Sequence, residues 1–308
     1  MQYFPLFVDT HNLKVLLVGA GDVAARKLAL LSRTFAQITV IAPDVCDEVH
    51  ALAASGHVQL LQRPISEADI SDWDLLYLAT ADNELNRHYA NLARQKGIWV
   101  NVVDSPAECR FITPSIVDRG RLVVAISTAG AAPVFARDIR ARLETWLPSS
   151  LAPLFDFIAD KRPQVQQRLA SVPQRRRFWE RFFALNGDRF DDSTLDHFEQ
   201  AFDCENWGGE GRDGELWLID DATRADLLPI AALAPLQRID CICSDISLPL
   251  ELSELLRRDA DRKVLPASSE LSHALEAGQR LLVYGSADDI DRLKAQFPMA
   301  RHLRPGAL

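Results

Sequence analysis

Gly19, Gly21 and Ala24 follow the apolar run "KVLLV" and open the helical pattern "DVAARKLALL". At that spacing the small residues permit a tight turn, a close approach of bare backbone to a ligand and tight helix packing. The free amides at the helix N-terminus carry partial positive charge, so the chemistry this arrangement suits is pyrophosphate binding. Asp44 closes the next apolar run, "VIAPD", at the distance where a dinucleotide site wants a carboxylate. A carboxylate there accepts from a ribose 2′-hydroxyl and repels a 2′-phosphate, so the pattern expects NAD rather than NADP. A glycine turn that only shapes the fold is the plainer alternative.

Such a turn needs a strand before it and a helix after it, and the first 113 residues supply this alternation. "KVLLVGA", "QITVIAP", "VQLLQRP", "LLYLATA" and "WVNVVD" read as strands, with "VAARKLALLSRTF", "CDEVHALAASG" and "NELNRHYANLARQKG" as helices between them. Alternation of this kind predicts a Rossmann-type α/β domain, a doubly wound parallel sheet, over 1–113. The pattern then changes. "RLVVAIST" is strand-like and "VFARDIRARLETWL" is an amphipathic helix with apolar positions Val134, Ile139, Leu143 and Leu147, so 114–147 forms a strand–helix segment. That segment does not look like a completed domain, which suggests a homodimer closed by two-fold symmetry. Residues 148–203 read as a helical domain, 204–213 as an acidic, glycine-bearing linker, and 214–308 as a small α/β block opening with "ELWLID".

With 308 residues, 48% of them hydrophobic, the chain can build more than one core. A net charge of −9 argues against nucleic-acid binding. "RRRFWERFF" mixes arginines with aromatics, but Phe178/Phe182 and Trp179/Phe183 pair at i,i+4, so it reads as an amphipathic helix with solvated arginines. Cys46, Cys109, Cys204, Cys241 and Cys243 contain no C-x-x-C pair, and His50, His57 and His88 lack ligand spacing, so no metal site is expected. Scattered thiols, no basic-then-apolar leader and no long apolar run fit a cytoplasmic protein that does not engage a membrane.

The segments "FPLFVD", "VLLVGAGDVAARKLALL", "VIAPD", "LATADNELN", "NVVDSPAECRFITPSIVDRG", "LVVAISTAGAAPVFAR" and "RRRFWERFF" are colinear up to about Leu185. Over them the chain resembles the precorrin-2 dehydrogenase/sirohydrochlorin ferrochelatase module of siroheme synthases. The resemblance implies NAD-dependent oxidation of precorrin-2 to sirohydrochlorin, insertion of Fe²⁺ as a chelation substrate, and an intertwined homodimer. It implies that Asp22, Val23, Pro43 and Asp44 contact NAD together with the glycine turn, and that Thr80, Asn101 and Val102 line the cofactor. It also implies that the Asp104 carboxylate serves both reactions. By itself Asp104 has two readings: a proton acceptor at a strand end, or the cap of an Asp-Ser-Pro turn. Ser127, Thr128 and Gly130 fall in the family's active-site loop, commonly "SSGG-SP", where Thr128 stands for a frequent serine and Ala129 for a frequent glycine. The tetrapyrrole carries many carboxylates, so Arg119, Arg137 and Arg140 are candidates to bind it, although any one such arginine is more often a solvated helix or turn residue.

From Gly214, "GELWLIDDATRADLLPIAALAPLQRIDCICSD" and "LLRRDADRKVLP" resemble the opening of the uroporphyrinogen-III methyltransferase domain. That family's "GAGPGD" loop is here "DDATRAD", and its "GGDP" loop is "YGSADD". The block is therefore expected to fold, with Leu216, Leu218, Leu227, Leu228, Ile230, Leu255, Leu256, Leu281 and Val283 buried, but not to methylate. A protein that binds NAD as a sensor or scaffold without catalysis is the alternative function, and only the enzyme needs the Asp104 carboxylate.

Overall fold

The computed structural model describes residues 2–203 and 214–305; the expected linker at 204–213 lies outside the described residues. The chain divides into two compact units, Met1–Ile158 and Ala159–Leu308.

In the first unit, β1 (Lys14–Val18), α1 (Asp22–Leu31), β2 (Gln37–Ile41), α2 (Asp47–Ala54), β3 (Val58–Leu61), β4 (Leu75–Leu78), α3 (Asn83–Gln95) and β5 (Trp99–Val102) alternate. All five strands are parallel, in the order β3-β2-β1-β4-β5. Val18 pairs with Ile41 on one side and Leu78 on the other, so the sheet changes direction beside the end of β1. Near-continuous Val, Leu and Ile runs form these strands because both faces are covered. Val15, Leu17 and Val40 pack with Ala24 and Leu28 of α1 and Val49 of α2 on one face. On the other, Leu16, Leu76 and Val100 pack with Tyr89, Ala90 and Ala93 of α3. Asp82 caps α3 by accepting from the amides of Glu84 and Leu85 at 2.9 and 3.0 Å.

Beyond this sheet, β6 (Ser115–Arg119) and β7 (Leu122–Ile126) form an antiparallel hairpin. Only the second strand is legible in the sequence, because "SIVDR" carries just two apolar residues and becomes a strand through its partner. In α4 (Pro133–Trp146) the only buried residue is Ala136; Ile139 and Leu143 are half-buried, and Val134, Phe135 and Trp146 are exposed. Helix α5 (Leu151–Arg168) then carries the chain into the second unit.

Helices α6 (Val172–Asn186) and α7 (Thr194–Phe202) enclose Phe178, Phe182 and Phe198, each fully buried. The rest is a second parallel sheet, in the order β10-β9-β11-β8-β12. Its strands are β8 (Glu215–Asp220), β9 (Cys241–Cys243), β10 (Asp261–Lys263), β11 (Arg280–Gly285) and β12 (Arg301–His302). Its helices are α8 (Leu233–Leu236), α9 (Leu250–Leu255), α10 (Ser268–Glu276) and α11 (Ala287–Gln296). Leu216, Leu218, Leu256, Leu281 and Val283 are buried as expected, and Leu227, Leu228 and Leu255 are half-buried. Ile230 is a correction: it opens a short 3-10 turn behind Pro229 and is 86% exposed.

The arginines of α6 are a second correction, since they are held rather than solvated. Arg176 pairs with Asp240 at 2.7 Å, Arg177 donates to the Gly278 carbonyl, and Glu180 of the same helix pairs with Arg280 at 2.8 Å. The run is therefore the seam between α6 and the second sheet.

Candidate functional site

The two glycines of the turn differ in what demands them. Gly19 has φ +100°, and a Cβ there would lie 2.5 Å from the backbone carbonyl oxygen of Ala79. The chain itself requires that glycine, because β1 and β4 approach too closely for any side chain. Gly21 caps α1 with φ −88° and ψ −172°, a conformation open to every residue, and a Cβ added to it would meet nothing within 4 Å. Nothing in the fold demands glycine at 21. Its bare backbone leaves the first-turn amides of α1 without a side-chain cap, which suits the close approach of a pyrophosphate. Asp22 is exposed, Val23 half-buried and Ala24 fully buried against the sheet. Pro43 and Asp44 are exposed just past the end of β2, at the same carboxyl edge. The residues present therefore fit a dinucleotide.

Across the switch point lie the ends of β4 and β5. The Thr80 hydroxyl donates to Asn86 Oδ1 at 2.8 Å and Asn86 Nδ2 donates back to the Thr80 carbonyl at 3.0 Å, locking the turn into α3. Asn101 is buried in β5; its Nδ2 donates to the Phe111 carbonyl at 2.9 Å, while its Oδ1 has no partner among the described residues. The Val102 amide donates to Cys109 Sγ at 3.2 Å, and that thiol donates to the Val102 carbonyl. Two residues past β5, Asp104 is exposed and has φ +57°. A non-glycine residue in that region stores backbone strain, and such residues cluster at functional sites.

Sequence reasoning passed over Lys27. It lies on α1 beside the buried Leu28, half-buried, with its ammonium 5.6 Å from the centre of the Tyr77 ring. Burial pulls its pKa below the ordinary lysine range, while Cys109 and Asp104 pull it up and Arg26 pushes it down. The signal was available: a lysine on the apolar stripe of an amphipathic helix.

The loop from Ser127 to Gly130 lies between β7 and α4. Ser127 Oγ accepts from the Ala129 amide at 3.0 Å and Thr128 Oγ1 from the Ala132 amide at 3.2 Å, so both hydroxyls shape the loop. Ala129 has φ +53°, the conformation for which glycine is the natural occupant. Arg119 and Arg140 share Glu144, at 2.6 and 3.3 Å, and Arg119 also donates to the Leu147 carbonyl at the end of α4. Arg137 is exposed, and its one ion-pair partner among the described residues is its neighbour Asp138, at 3.3 Å. Among the described residues no group of three or more His, Cys, Asp or Glu could hold a metal ion, and no helix is long and apolar enough to cross a membrane.

Three family models match in succession. "Putative NAD(P)-binding" covers residues 6–115, "Sirohaem biosynthesis protein central" 119–145 and "Sirohaem synthase dimerisation region" 150–191. The siroheme synthase of Pseudoalteromonas atlantica is 40% identical over 270 residues, covering 85% of this chain and 58% of its own length. That of Sodalis glossinidius is 40% identical over 267 residues (85% and 56%), and that of Pseudomonas fluorescens 36% over 284 residues (91% and 61%). The chain thus spans somewhat over half the length of these relatives. The solved structure of SirC, a precorrin-2 dehydrogenase, superimposes with a TM-score of 0.51 at 24% identity, covering 66% of this chain and 100% of its own, and it supports the fold. Three matches in succession and 40% identity carried through 85% of the chain make it similar to siroheme synthases, over 58% of the length of the Pseudoalteromonas atlantica protein.

Proposed function

We propose that this chain oxidises precorrin-2 to sirohydrochlorin with NAD, then serves the insertion of ferrous iron, and works as a cytoplasmic homodimer. The observation that carries the reading is the pairing, at one sheet edge, of a glycine the fold does not need with a strained carboxylate, Gly21 and Asp104. Bound NAD supplies the hydride acceptor. The first-turn amides of α1 hold its pyrophosphate, and Asp44 accepts from a ribose hydroxyl. Asp104, exposed at the rim, takes the proton that leaves the substrate as the new double bond conjugates, and passes it to water. Chelation asks for the same service, since pyrrolic N–H protons must leave as the cation enters. Glu144 already holds Arg119 and Arg140, so Arg137 is the arginine most open to a substrate carboxylate. The uncovered Val134, Phe135 and Trp146 of α4 fit a second copy of the chain, as does the match to a dimerisation region.

The test is anaerobic incubation with precorrin-2 and NAD, followed by the rise of sirohydrochlorin absorbance. Asp104→Asn keeps a residue that tolerates positive φ but removes the proton acceptor. Turnover should fall about 10²-fold or more, with NAD affinity unchanged. Full turnover in the variant assigns Asp104 to the turn alone, and no product from the wild-type chain ends the dehydrogenase reading.

A further inference from the structure

Lys27 is an anomaly on the face it occupies. Its neighbours Ala24 and Leu28 are fully buried in the α1–sheet interface, and an apolar side chain would continue that stripe without desolvation cost. Among the described residues no carboxylate forms an ion pair with its ammonium. The Tyr77 ring of β4 lies 5.6 Å from it, and the charges it senses are those of Cys109 and Asp104, from the segment after β5, and of Arg26 on its own helix. Helical side chains lean toward the helix N-terminus, which for α1 is the carboxyl edge of the sheet. With the ammonium 5.6 Å from the ring of Tyr77, one residue before the end of β4, that lean sets it toward the ligand edge on the β4 side of the switch point.

That side has a definite meaning for a dinucleotide. Asp44, past β2, marks the adenosine ribose, so the nicotinamide half belongs over β4 and β5. We propose, resting on the NAD-dehydrogenase reading above, that the Lys27 ammonium tunes the bound cofactor toward hydride acceptance by weakening the oxidised form relative to the reduced one. Two electrons and one proton leave a substrate carbon as hydride and arrive at the nicotinamide of NAD⁺. The ring's positive charge is cancelled, and the second proton leaves the substrate for Asp104. A fixed cation near the ring opposes NAD⁺ and is indifferent to the neutral reduced ring. By linkage, the ratio of the two affinities is the shift in the cofactor's driving force. Asp104 offsets part of this field, but it is exposed to water whereas Lys27 is half-buried, so the lysine is screened less.

The experiment measures dissociation constants of NAD⁺ and NADH for the full chain by calorimetry, at one pH and low salt, with wild type, Lys27→Met, Lys27→Gln and Lys27→Arg. Removing the charge should shift the affinity ratio toward NAD⁺ by about fivefold to tenfold, a tenfold shift being about 30 mV for a two-electron couple. Lys27→Arg should keep the wild-type ratio. Far-ultraviolet circular dichroism selects folded variants, and Lys27→Gln stands in if the methionine variant does not fold. A wild-type ratio in a folded neutral variant overturns the proposal while leaving the dehydrogenase reading intact. Wild-type protein that binds neither nucleotide removes that reading and this proposal together.

Discussion

The contrast between Gly19 and Gly21 can be turned into a single experiment in which fold and ligand give opposite answers. Gly19→Ala places a Cβ 2.5 Å from the Ala79 carbonyl oxygen at φ +100°. The positive φ costs about 1–2 kcal/mol and the backbone shift about 1–3 kcal/mol more, so a loss of about 3 kcal/mol is expected. Gly21→Asp meets no atom and sits at the N-cap of α1. Aspartate is a preferred cap and restricts the unfolded chain, so stability should rise by about 0.5–1 kcal/mol. Its carboxylate would then face the pyrophosphate. Two like charges about 4 Å apart repel by about 1 kcal/mol in water and about 4 kcal/mol at an effective dielectric of 20. At this exposed turn an intermediate value of about 2 kcal/mol applies, which is about thirtyfold in affinity. Urea unfolding reads the first quantity and calorimetric titration with NAD the second. A Gly21→Asp protein that binds NAD within twofold of wild type would refute the assignment of the turn. A Gly19→Ala protein of undiminished stability would refute the steric argument.

Two further outcomes follow from local geometry. Ala129→Gly relieves an alanine at φ +53° and should raise stability by about 0.5–1 kcal/mol after the entropic cost of glycine; an unchanged or lower urea midpoint contradicts it. Arg176→Ala should cost about 1 kcal/mol, because its half-buried partner Asp240 keeps Arg257 at 3.3 Å and the Arg280 amide at 3.0 Å. Faster hydrogen exchange at the start of β9 and β11 is the specific signature, and unchanged exchange there would return the arginine to a solvated role.

How far the sequence could be read depended on where the decisive partner lies. Strands β1, β2, β4 and β5 are written in near-continuous apolar runs, and the glycine spacing sits in the one context that gives it meaning. The strand β6 was not legible, because "SIVDR" owes its conformation to β7 rather than to its own pattern. The α6 arginines misled for the same reason: helical spacing identifies the face of Phe178 and Phe182, but Asp240 and Gly278 are about 60 and 100 positions away along the chain. Ile230 looked like core, yet one apolar residue after Pro229 has no periodicity to assign it a face. At the site, Asp104 could be found, but its left-handed backbone could not, and Lys27 was hidden because a charged residue among apolar ones is usually taken as a long stem reaching water.

The described residues form two five-stranded parallel sheets, and chemistry at the carboxyl edge separates them more sharply than topology does. The first edge carries acids of its own, Asp22, Asp44 and Asp104, but also offers an uncapped helix N-terminus behind Gly21 and the half-buried Lys27 on the same helix. The second offers Asp220 at the end of β8 and Asp221 just past it, Asp245 past β9, and Asp288 and Asp289 in the first turn of α11. Asp220 is occupied by Thr223 at 2.8 Å and His302 at 3.2 Å, and the Asp221 amide donates to the Gly285 carbonyl, so the turn that would have to lie bare beside a cofactor is closed by its own bonds. The field of these acids is felt locally: burial first, then Asp221 and Asp220, push the Tyr284 hydroxyl's pKa up. The first edge therefore leaves helix amides open to a pyrophosphate, whereas the corresponding turn of the second is filled by carboxylates and its own hydrogen bonds. The second sheet, tied by Arg176, Arg177 and Glu180 to α6, is better suited to holding the helical segment than to binding a second nucleotide.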